Sequence, residues 1–256
     1  MIGAVAGDII GSTYEVSPIK SKKFELFPKG SHFSDDTVLT MAIAKSILNK
    51  EPYLDNILDF ARRYPNRGYG HGFREWVKSK EHKPYNSWGN GSAMRVSPIG
   101  FAFDTKEDVL REAKESATIT HNHIEGIKGA QATALAIYLA RKTKDKELLR
   151  EEISKEFNYN LNRSVDEIRK HYKFDVSSQG SVPESIISFL DSTSYEDAIR
   201  NAISLGGDAD TMATIAGGIA QAYYGMDKEI EQKALEYLPD EFIDIYSRFK
   251  ELYLKS

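Results

Sequence analysis

Apolar residues recur every three to four positions along most of this chain, the spacing that is typical of amphipathic α-helices. Residues 53–63 show the pattern clearly, since Leu54, Ile57, Leu58 and Ala61 lie on one stripe. The same periodicity predicts helices over eight stretches: residues 37–49, 53–63, 107–118, 124–141, 182–190, 194–205, 211–224 and 240–254.

The stretch at residues 211–224 differs from the others because it is almost wholly apolar. It contains Gly217 and Gly218, and glycine lets a neighbouring backbone approach closely. We therefore predict a buried, central helix with another element packed against its glycines.

Strand signals are missing from the sequence, which contains no alternating β-branched run and no Asn-Gly hairpin flanked by alternating apolar residues. Residues 142–175 are the most charged and the least periodic, which indicates solvated helices or a peripheral excursion. With no internal repeat and no low-complexity linker, the sequence predicts one all-α domain over residues 1–256.

The composition of the chain excludes several kinds of functional site but says little about the fold. The chain has no cysteine, which excludes disulfides, thiolate metal sites and cysteine nucleophiles. Its net charge of −4 gives no electrostatic reason to expect a nucleic-acid partner. No apolar run approaches the roughly 18 residues needed to span a bilayer, and the N-terminus lacks the basic start of a signal peptide. We therefore expect a cytoplasmic monomer with no membrane partner.

Two short acidic clusters carry the chemistry that the sequence predicts. Ser34–Thr37 is Ser-Asp-Asp-Thr and Asp208–Thr211 is Asp-Ala-Asp-Thr, and each stands just before an apolar run of helical periodicity. Four converging carboxylates ionise only at high cost unless cations lie between them. All-oxygen ligands favour Mg²⁺, Mn²⁺ or Ca²⁺ over zinc. If the fold brings the two clusters together, they form a metal site.

The alternative is that both clusters are helix N-caps, because Asp, Ser and Thr satisfy the free N–H groups of a first helical turn. Two matched clusters that both end in threonine favour the metal site, and the two roles are compatible. An EF-hand is a poor fit to the second cluster, since Ile219 occupies loop position 12, where a glutamate is required.

The segment Gly89–Arg95, Gly-Asn-Gly-Ser-Ala-Met-Arg, has the small residues that let backbone N–H groups approach a phosphate, and Ser92 adds a hydroxyl donor. It is not a Rossmann fingerprint, because Met94 occupies the third glycine position. It is not a Walker A loop either, because no Gly-Lys-Ser/Thr follows. A simple turn is the alternative.

Thr120–His123 places His121 and His123 in a short polar segment, where they can bind a metal or a phosphate. A structural hydrogen-bonding role is the alternative for both histidines.

The N-terminal segment Gly7–Glu15 combines glycines with two carboxylates. Asp8 can cap or brace a neighbouring loop, and Glu15 is either a catalytic carboxylate or a surface residue. Nothing in the local sequence decides between these roles.

In their order along the chain, these segments resemble the ADP-ribosylglycohydrolase family, the DraG-like or ARH-type (ADP-ribosyl)hydrolases. The combination is specific, whereas any single piece is not, and it covers most of the chain. The matching pieces are Gly7-Asp8 with Gly11 and Tyr14-Glu15, Ser34–Thr37, Gly89–Arg95, Thr120-His121 and Gly207–Thr211.

The resemblance implies a compact all-α fold with a cleft that binds two Mg²⁺ ions, with Mn²⁺ as the alternative metal. It implies cleavage of the bond at C1″ of the distal ribose, so that the partners are an ADP-ribosylated substrate and the product ADP-ribose. By the same resemblance, the metal ligands are Ser34, Asp35, Asp36, Asp208, Asp210 and Thr211.

The resemblance also assigns the remaining site residues. The glycine loop is expected to cradle the diphosphate and the distal ribose, and His121 to hold the phosphate side. The substrate-binding residues are then Gly89, Asn90, Gly91, Ser92, Met94 and His121. The catalytic residues are Glu15, Asp36 and Asp210, with either Glu15 or Asp36 as the general base for water.

Two other functions stay open beside this hydrolase: a non-catalytic ADP-ribose-binding relative, and a two-metal phosphoesterase that acts on a nucleotide. The acceptor is open as well, because relatives act on ADP-ribose linked to arginine, to serine or to other groups. Tyr64–Phe73 is a candidate for the edge of the cleft that contacts the acceptor.

Overall fold

Helices form nearly all of the regular structure in the computed structural model, which describes residues 1–254. Within that range the β pairing is a single isolated bridge between Gly89 and Ser177. The α-helices are α1 Ile2–Val16, α2 Asp35–Asn49, α3 Tyr53–Arg63, α4 His71–Lys78, α5 Ser97–Ala102, α6 Lys106–Thr118, α7 Ile124–Thr143, α8 Lys146–Phe157, α9 Val165–Arg169, α10 Ser178–Leu190, α11 Tyr195–Ile203, α12 Ala209–Tyr224, α13 Lys228–Leu235 and α14 Asp240–Tyr253. A 3₁₀ turn covers Asn90–Ser92.

The predicted all-α class is confirmed, and all eight predicted stretches fall on helices. Their ends differ from the prediction by up to four residues; the largest difference is in α10, which begins at Ser178 instead of residue 182. Serines dominate this first turn, so no apolar periodicity marks it, and Ser177 caps it by accepting a hydrogen bond from the backbone N–H of Gly180. The predicted domain runs to residue 256, so its last two residues lie outside the described range.

Residues 142–175 contain two helices, α8 and α9, as one of the two interpretations of that stretch predicted. The helix α8 is anchored rather than freely solvated, because Leu149, Ile153 and Phe157 are buried. Their spacing of four residues places all three side chains on one face of the helix.

The helix α1 was not predicted, although it organises the whole molecule. Nine of its first eleven residues are apolar or glycine, and all residues from Ile2 to Ser12 are buried, so the sequence shows no apolar stripe. It lies along α12, the predicted central helix, which also contacts α2, α5, α7, α10 and α11. One connected cluster of buried apolar side chains extends from Met1 to Phe249 around this pair.

A stripe of small residues sets the distance between α1 and α12. A β-carbon added at Gly3 would lie 2.6 Å from the carbonyl oxygen of Gly217, and one added at Gly7 would lie 2.2 Å from that of Ala213. One added at Gly11 would lie 2.5 Å from the Cα of Asp210. The predicted close approach at Gly217 is therefore confirmed, and it brings the C-terminal end of α1 beside the first turn of α12.

Gly7→Ala is expected to reduce the free energy of unfolding by about 3 kcal/mol or more, the upper range for an overpacked core. The added methyl group meets the rigid backbone of α12 rather than a flexible side chain, so relief requires the two helices to separate. Gly70→Ala is the matched control, because a β-carbon there has nothing within 4 Å. Urea unfolding of both variants measures the difference, and equal midpoints would contradict the close packing.

Within residues 1–254, no helix combines the length and the apolar character that crossing a membrane requires.

Candidate active site

The two acidic clusters meet in the fold. The first begins α2 and the second begins α12, and Oγ1 of Thr211 donates a 3.3 Å hydrogen bond to Oδ2 of Asp36 across the junction. Glu15, at the end of α1, joins them: single carboxylate oxygens of Glu15, Asp208 and Asp210 all lie within 4.8 Å of one another. Residues separated by about 170 positions therefore form one anionic centre, as the sequence predicted on the condition that the fold unites them.

The N-cap alternative holds for one cluster and not for the other. Oγ of Ser34 accepts a 3.2 Å hydrogen bond from the backbone N–H of Asp36, so Ser34 caps α2. Asp208 stands at the N-cap position of α12 but makes no capping bond. Its Oδ2 instead accepts a 2.7 Å hydrogen bond from the side-chain amide of Asn90. Helix capping alone therefore does not account for the second cluster.

Asp8 braces the first cluster from α1. Its Oδ2 accepts hydrogen bonds from the backbone N–H groups of Ser34 (2.9 Å) and Thr37 (3.1 Å), and a further one from the hydroxyl of Thr37. Asp8 is fully buried, so these bonds fix the start of α2 against the middle of α1. The bracing role considered for Asp8 in the sequence is confirmed.

The carboxylates of this centre resist ionisation. Burial is the main cause that raises the pKa of Asp36 and Asp210 well above the ordinary value, and neighbouring carboxylates add to it. The pKa of Glu15 is also raised, first by burial and then by the charge of Asp208. Asp35 follows the same pattern, with burial and Asp8 as the leading causes of its raised pKa. Ionising all of these groups together is costly without compensating positive charge.

The side chains of residues 1–254 do not supply that charge, because no lysine or arginine in this range forms an ion pair with Asp36, Asp208 or Asp210. The buried Oδ1 atoms of Asp8 and Asp36 also have no hydrogen-bond partner there. Unpaired carboxylate oxygens beside hydroxyl groups are the donors that a hard divalent cation prefers. The residues present therefore fit a cation site.

A cavity of about 600 Å³ opens above the acidic centre. The glycine loop, defined as Gly89–Arg95, forms one wall, and residues 66–73 form part of another. Of the residues predicted for the site, the cavity is lined by Glu15, Ser34, Asp35, Asp36, Gly89, Asn90, Gly91, Met94, His121, Asp208, Asp210 and Thr211.

Ser92 is the predicted site residue that does not line this cavity. It is fully buried, and its hydroxyl donates a 2.7 Å hydrogen bond to the carbonyl oxygen of Gly126 in α7. The expected hydroxyl donor to a phosphate is thus engaged with the protein. Ser92 holds the glycine loop against α7, and the sequence offered no sign of this long-range partner.

Asn90 connects the glycine loop to the acidic centre. Its side-chain amide donates to Oδ2 of Asp208 at 2.7 Å and to Oγ of Ser181 at 3.1 Å. Its backbone N–H donates to the carbonyl oxygen of Val176 at 2.8 Å, beside the isolated bridge between Gly89 and Ser177. The loop is therefore held by both the side chain and the backbone of Asn90. A simple turn, the alternative considered from the sequence, would not need these long-range bonds.

The two histidines of Thr120–His123 have different environments. His121 is buried against the loop: a β-carbon added at Gly91 would lie 3.3 Å from its Nε2. His123 does not line the cavity, and its Nδ1 accepts a 3.1 Å hydrogen bond from the backbone N–H of Glu125 at the start of α7. The structural alternative thus holds for His123.

Comparison with known proteins places this chain in a family. A family model described as ADP-ribosylglycohydrolase matches residues 1–255. The chain belongs to the ADP-ribosylglycohydrolase family. The family and its named relatives make the chain a hydrolase, and its fold agrees with the expectation from sequence.

Among curated relatives of this ADP-ribosylglycohydrolase-family chain, ADP-ribosylhydrolase ARH3 of Mus musculus is 31% identical over 89% of the chain and 83% of the relative. The Homo sapiens ARH3 is 31% identical over 89% and 85%. ADP-ribosylarginine hydrolase Tri1 of Pseudomonas putida (strain GB-1) is 24% identical over 88% and 70%. A solved ADP-ribosylglycohydrolase-related protein complex shares the fold, with a TM-score of 0.73 at 22% identity over 98% of this chain and 95% of that chain.

Several cavity-lining residues of this ADP-ribosylglycohydrolase-family chain were not predicted. Tyr85, Trp88 and Val176 lie on the wall beside the glycine loop, and Trp88 is 49% exposed. Trp88 directly precedes the glycine loop, so its position in the sequence could have marked it as a candidate for the cavity wall. Val176 directly follows the charged stretch of residues 142–175, and only the bridge between Gly89 and Ser177 reveals its position.

The candidate acceptor edge at residues 64–73 does reach the cavity, through Asn66, Arg67, Gly68, Gly70, Gly72 and Phe73. It is attached to the acidic centre, because the carbonyl oxygen of Arg67 accepts a 2.6 Å hydrogen bond from the backbone N–H of Asp35. The guanidinium group of Arg67 stacks on Phe33, with 3.7 Å between its carbon and the ring centroid. A segment in this position can contact a ligand that is bound beside the acidic centre.

Proposed function

We propose that this protein is a Mg²⁺-dependent hydrolase that removes ADP-ribose from a modified acceptor by cleaving the bond at C1″ of the distal ribose. One observation carries the proposal: the acidic centre and the glycine loop share a single cavity and are joined by the hydrogen bond from Asn90 to Asp208. The names of the relatives ARH3 and Tri1 agree with this activity.

Two Mg²⁺ ions would be held by the two clusters, with Ser34, Asp35, Asp36, Asp208, Asp210 and Thr211 as ligands. Glu15 supports a shared site, because its carboxylate lies within 4.8 Å of those of Asp208 and Asp210. When bound, the ions would orient the ribose hydroxyl groups, polarise the reacting centre and lower the pKa of a bound water. All-oxygen donors are the reason for choosing Mg²⁺, with Mn²⁺ as the alternative.

The glycine loop and its neighbours would hold the ADP-ribosyl group. Gly89 and Gly91 leave room for phosphate oxygens beside the backbone, and His121 lies next to them. Trp88 offers a half-exposed ring at the cavity wall, on which an adenine base can stack. These contacts fix the far end of the substrate, so that C1″ is presented to the acidic centre.

Glu15 is our choice of general base. It is only half-buried, and burial followed by the charge of Asp208 raises its pKa, which makes its carboxylate a better proton acceptor than an ordinary glutamate. Asp36 is less suited, because it is buried and is one of the proposed metal ligands, and its Oδ2 also accepts hydrogen bonds from Thr211 and Ser34. A water oxygen would attack C1″ and pass its proton to Glu15, while the bond from C1″ to the acceptor breaks and leaves its electron pair on the acceptor atom.

The bond-breaking step develops positive charge on the ribose ring, as in other glycosidic cleavages. Carboxylates that face the ring stabilise that charge, and Glu15, Asp36 and Asp210 all line the cavity. Burial raises the pKa values of all three carboxyl groups, so a positive charge that develops beside them is favoured.

The experiment that tests the proposal incubates the protein with substrates ADP-ribosylated on arginine, on serine and on a nucleobase, in Mg²⁺ or in EDTA. Release of free ADP-ribose from one of them, dependent on Mg²⁺, is the expected result and also names the acceptor. ADP-ribose binding without release from any substrate would favour the non-catalytic relative. Release of phosphate from a nucleotide instead would favour the phosphoesterase.

Gly91→Val is expected to weaken ADP-ribose binding by about tenfold or more, because its side chain would fill the space between the loop and His121. Gly70→Val is the control, since Gly70 lines the same cavity on the side of the acceptor edge and has open space around it. Calorimetry with free ADP-ribose compares the two variants. Equal affinities would remove the glycine loop from the binding site.

A further inference from the structure

Arg95, the last residue of the glycine loop, is a fully buried cation without a carboxylate partner in residues 1–254. One of its terminal nitrogens donates to the carbonyl oxygen of Ser116 at 2.6 Å and to Oγ1 of Thr120 at 3.1 Å. Burial lowers the pKa of Arg95 to about 10, so the group stays protonated at neutral pH and acts only as a donor. No part of the proposed reaction uses it.

The bond from Arg95 determines how Thr120 can bond to His121. Oγ1 of Thr120 lies 2.7 Å from Nδ1 of His121. If Nδ1 carried a proton and donated it to Oγ1, the hydroxyl proton of Thr120 would have no acceptor, although Thr120 is fully buried. If Oγ1 accepts from Arg95 and donates to Nδ1, the hydroxyl proton of Thr120 has an acceptor. An unsatisfied buried donor is costly, so the second arrangement is favoured.

The same surroundings keep the His121 ring neutral. Burial, and then the charge of Arg95, hold the pKa of His121 well below its ordinary value. A neutral ring with a bare Nδ1 carries its one proton on Nε2. Nε2 has no protein hydrogen-bond partner in the described residues, and it faces the position of Gly91, 3.3 Å from where a β-carbon would lie. The ring is only 4% exposed and lines the cavity, so this N–H is directed at whatever the glycine loop binds.

We propose that Arg95 and Thr120 are positioning residues that fix His121 in the tautomer with its proton on Nε2, so that the ring donates a hydrogen bond to a phosphate oxygen of ADP-ribose at the glycine loop. The choice of ligand rests on the proposed function. The tautomer itself does not depend on the ligand, because it follows from the hydrogen bonds among Arg95, Thr120 and His121. A neutral donor fixed before binding adds affinity because its orientation is already set.

The test is a long-range ¹H–¹⁵N spectrum of the ¹⁵N-labelled protein at neutral pH, with His121 assigned by comparison with His121→Asn. In the wild type, we expect Nδ1 to resonate as a bare nitrogen and Nε2 as a protonated one. Thr120→Val, which removes the hydroxyl, is expected to give a mixture of tautomers and about tenfold weaker ADP-ribose binding. Thr120→Ser keeps a hydroxyl and is expected to restore both properties.

A protonated Nδ1 or a cationic ring in the wild type would overturn the proposal, and the only variant that this measurement needs is the His121→Asn protein used for the assignment. Wild-type shifts and wild-type affinity in a folded Thr120→Val would also overturn it. If the wild-type protein shows the expected tautomer but does not bind ADP-ribose, the proposed function fails while the arrangement of Arg95, Thr120 and His121 stands. The two ideas therefore fail in distinguishable ways.

Discussion

Asp210→Asn is expected to lower the rate of ADP-ribose release by about 10³-fold or more, because it removes a ligand from the proposed metal centre and a negative charge that faces the reacting ring. Metal centres of this kind supply several kcal/mol of transition-state stabilisation, and each 1.36 kcal/mol corresponds to a tenfold change in rate. Single-turnover assays with saturating Mg²⁺ measure the effect.

The same substitution is expected to raise the melting temperature of the metal-free protein. Asp210 is buried, and its pKa is raised first by burial and then by the charges of Asp208 and Asp36. Asparagine removes that repulsion and keeps the local geometry, because its Oδ1 can still accept the 2.9 Å hydrogen bond from the backbone N–H of Thr211. Loss of activity together with a gain in stability separates this role from a structural one.

Asp55→Asn is the matched control, because Asp55 is exposed on α3 and lies outside the cavity. It is expected to change neither turnover nor melting temperature measurably. An Asp210→Asn protein that retains full activity would remove this residue from the metal centre. A variant that melts below the wild type in EDTA would show that the carboxylate is satisfied by the protein alone.

The sequence contained most of the chemistry of this site but not its three-dimensional arrangement. The helices with a clear apolar stripe were predictable, because their periodicity is local. The helix α1 was missed because it is buried all round and rich in glycine, which removes the stripe and lowers helix propensity. Yet α1 supplies both Asp8 and Glu15, so the missed helix is the one that completes the acidic centre.

Long-range partners account for the other differences. Ser92 has the residue type of a phosphate donor, but its hydroxyl bonds to Gly126, a partner that only the packing of the loop on α7 reveals. His121 and His123 look equivalent in the sequence, but only His121 is hydrogen-bonded to Thr120, which in turn accepts a hydrogen bond from Arg95. Trp88 and Val176 lie together because of one backbone bridge between segments far apart in the chain. Each of these roles depends on contacts that no local pattern encodes.

Excess Mg²⁺ is expected to raise the melting temperature, and the rise is expected to grow with pH. In the metal-free protein, burial raises the pKa values of Asp35, Asp36 and Asp210 above those of an unfolded chain. The folded state therefore binds protons more tightly, and these groups contribute stability that is fully present below about pH 4, the ordinary aspartate pKa. That contribution is lost as pH rises through the raised pKa values.

A divalent cation reverses this dependence, because it binds the ionised carboxylates and competes with protons for them. With Mg²⁺ about 100-fold above its dissociation constant, the melting temperature near pH 8 should exceed that in EDTA by roughly 5–10 °C. Near pH 5.5 the difference should shrink, and in Asp210→Asn it should be small at both pH values. A Mg²⁺ effect that is absent, or equal at the two pH values, would mean that these carboxylates do not hold the ion. The pH dependence matters because nonspecific ion binding at the protein surface would not follow the titration of buried groups.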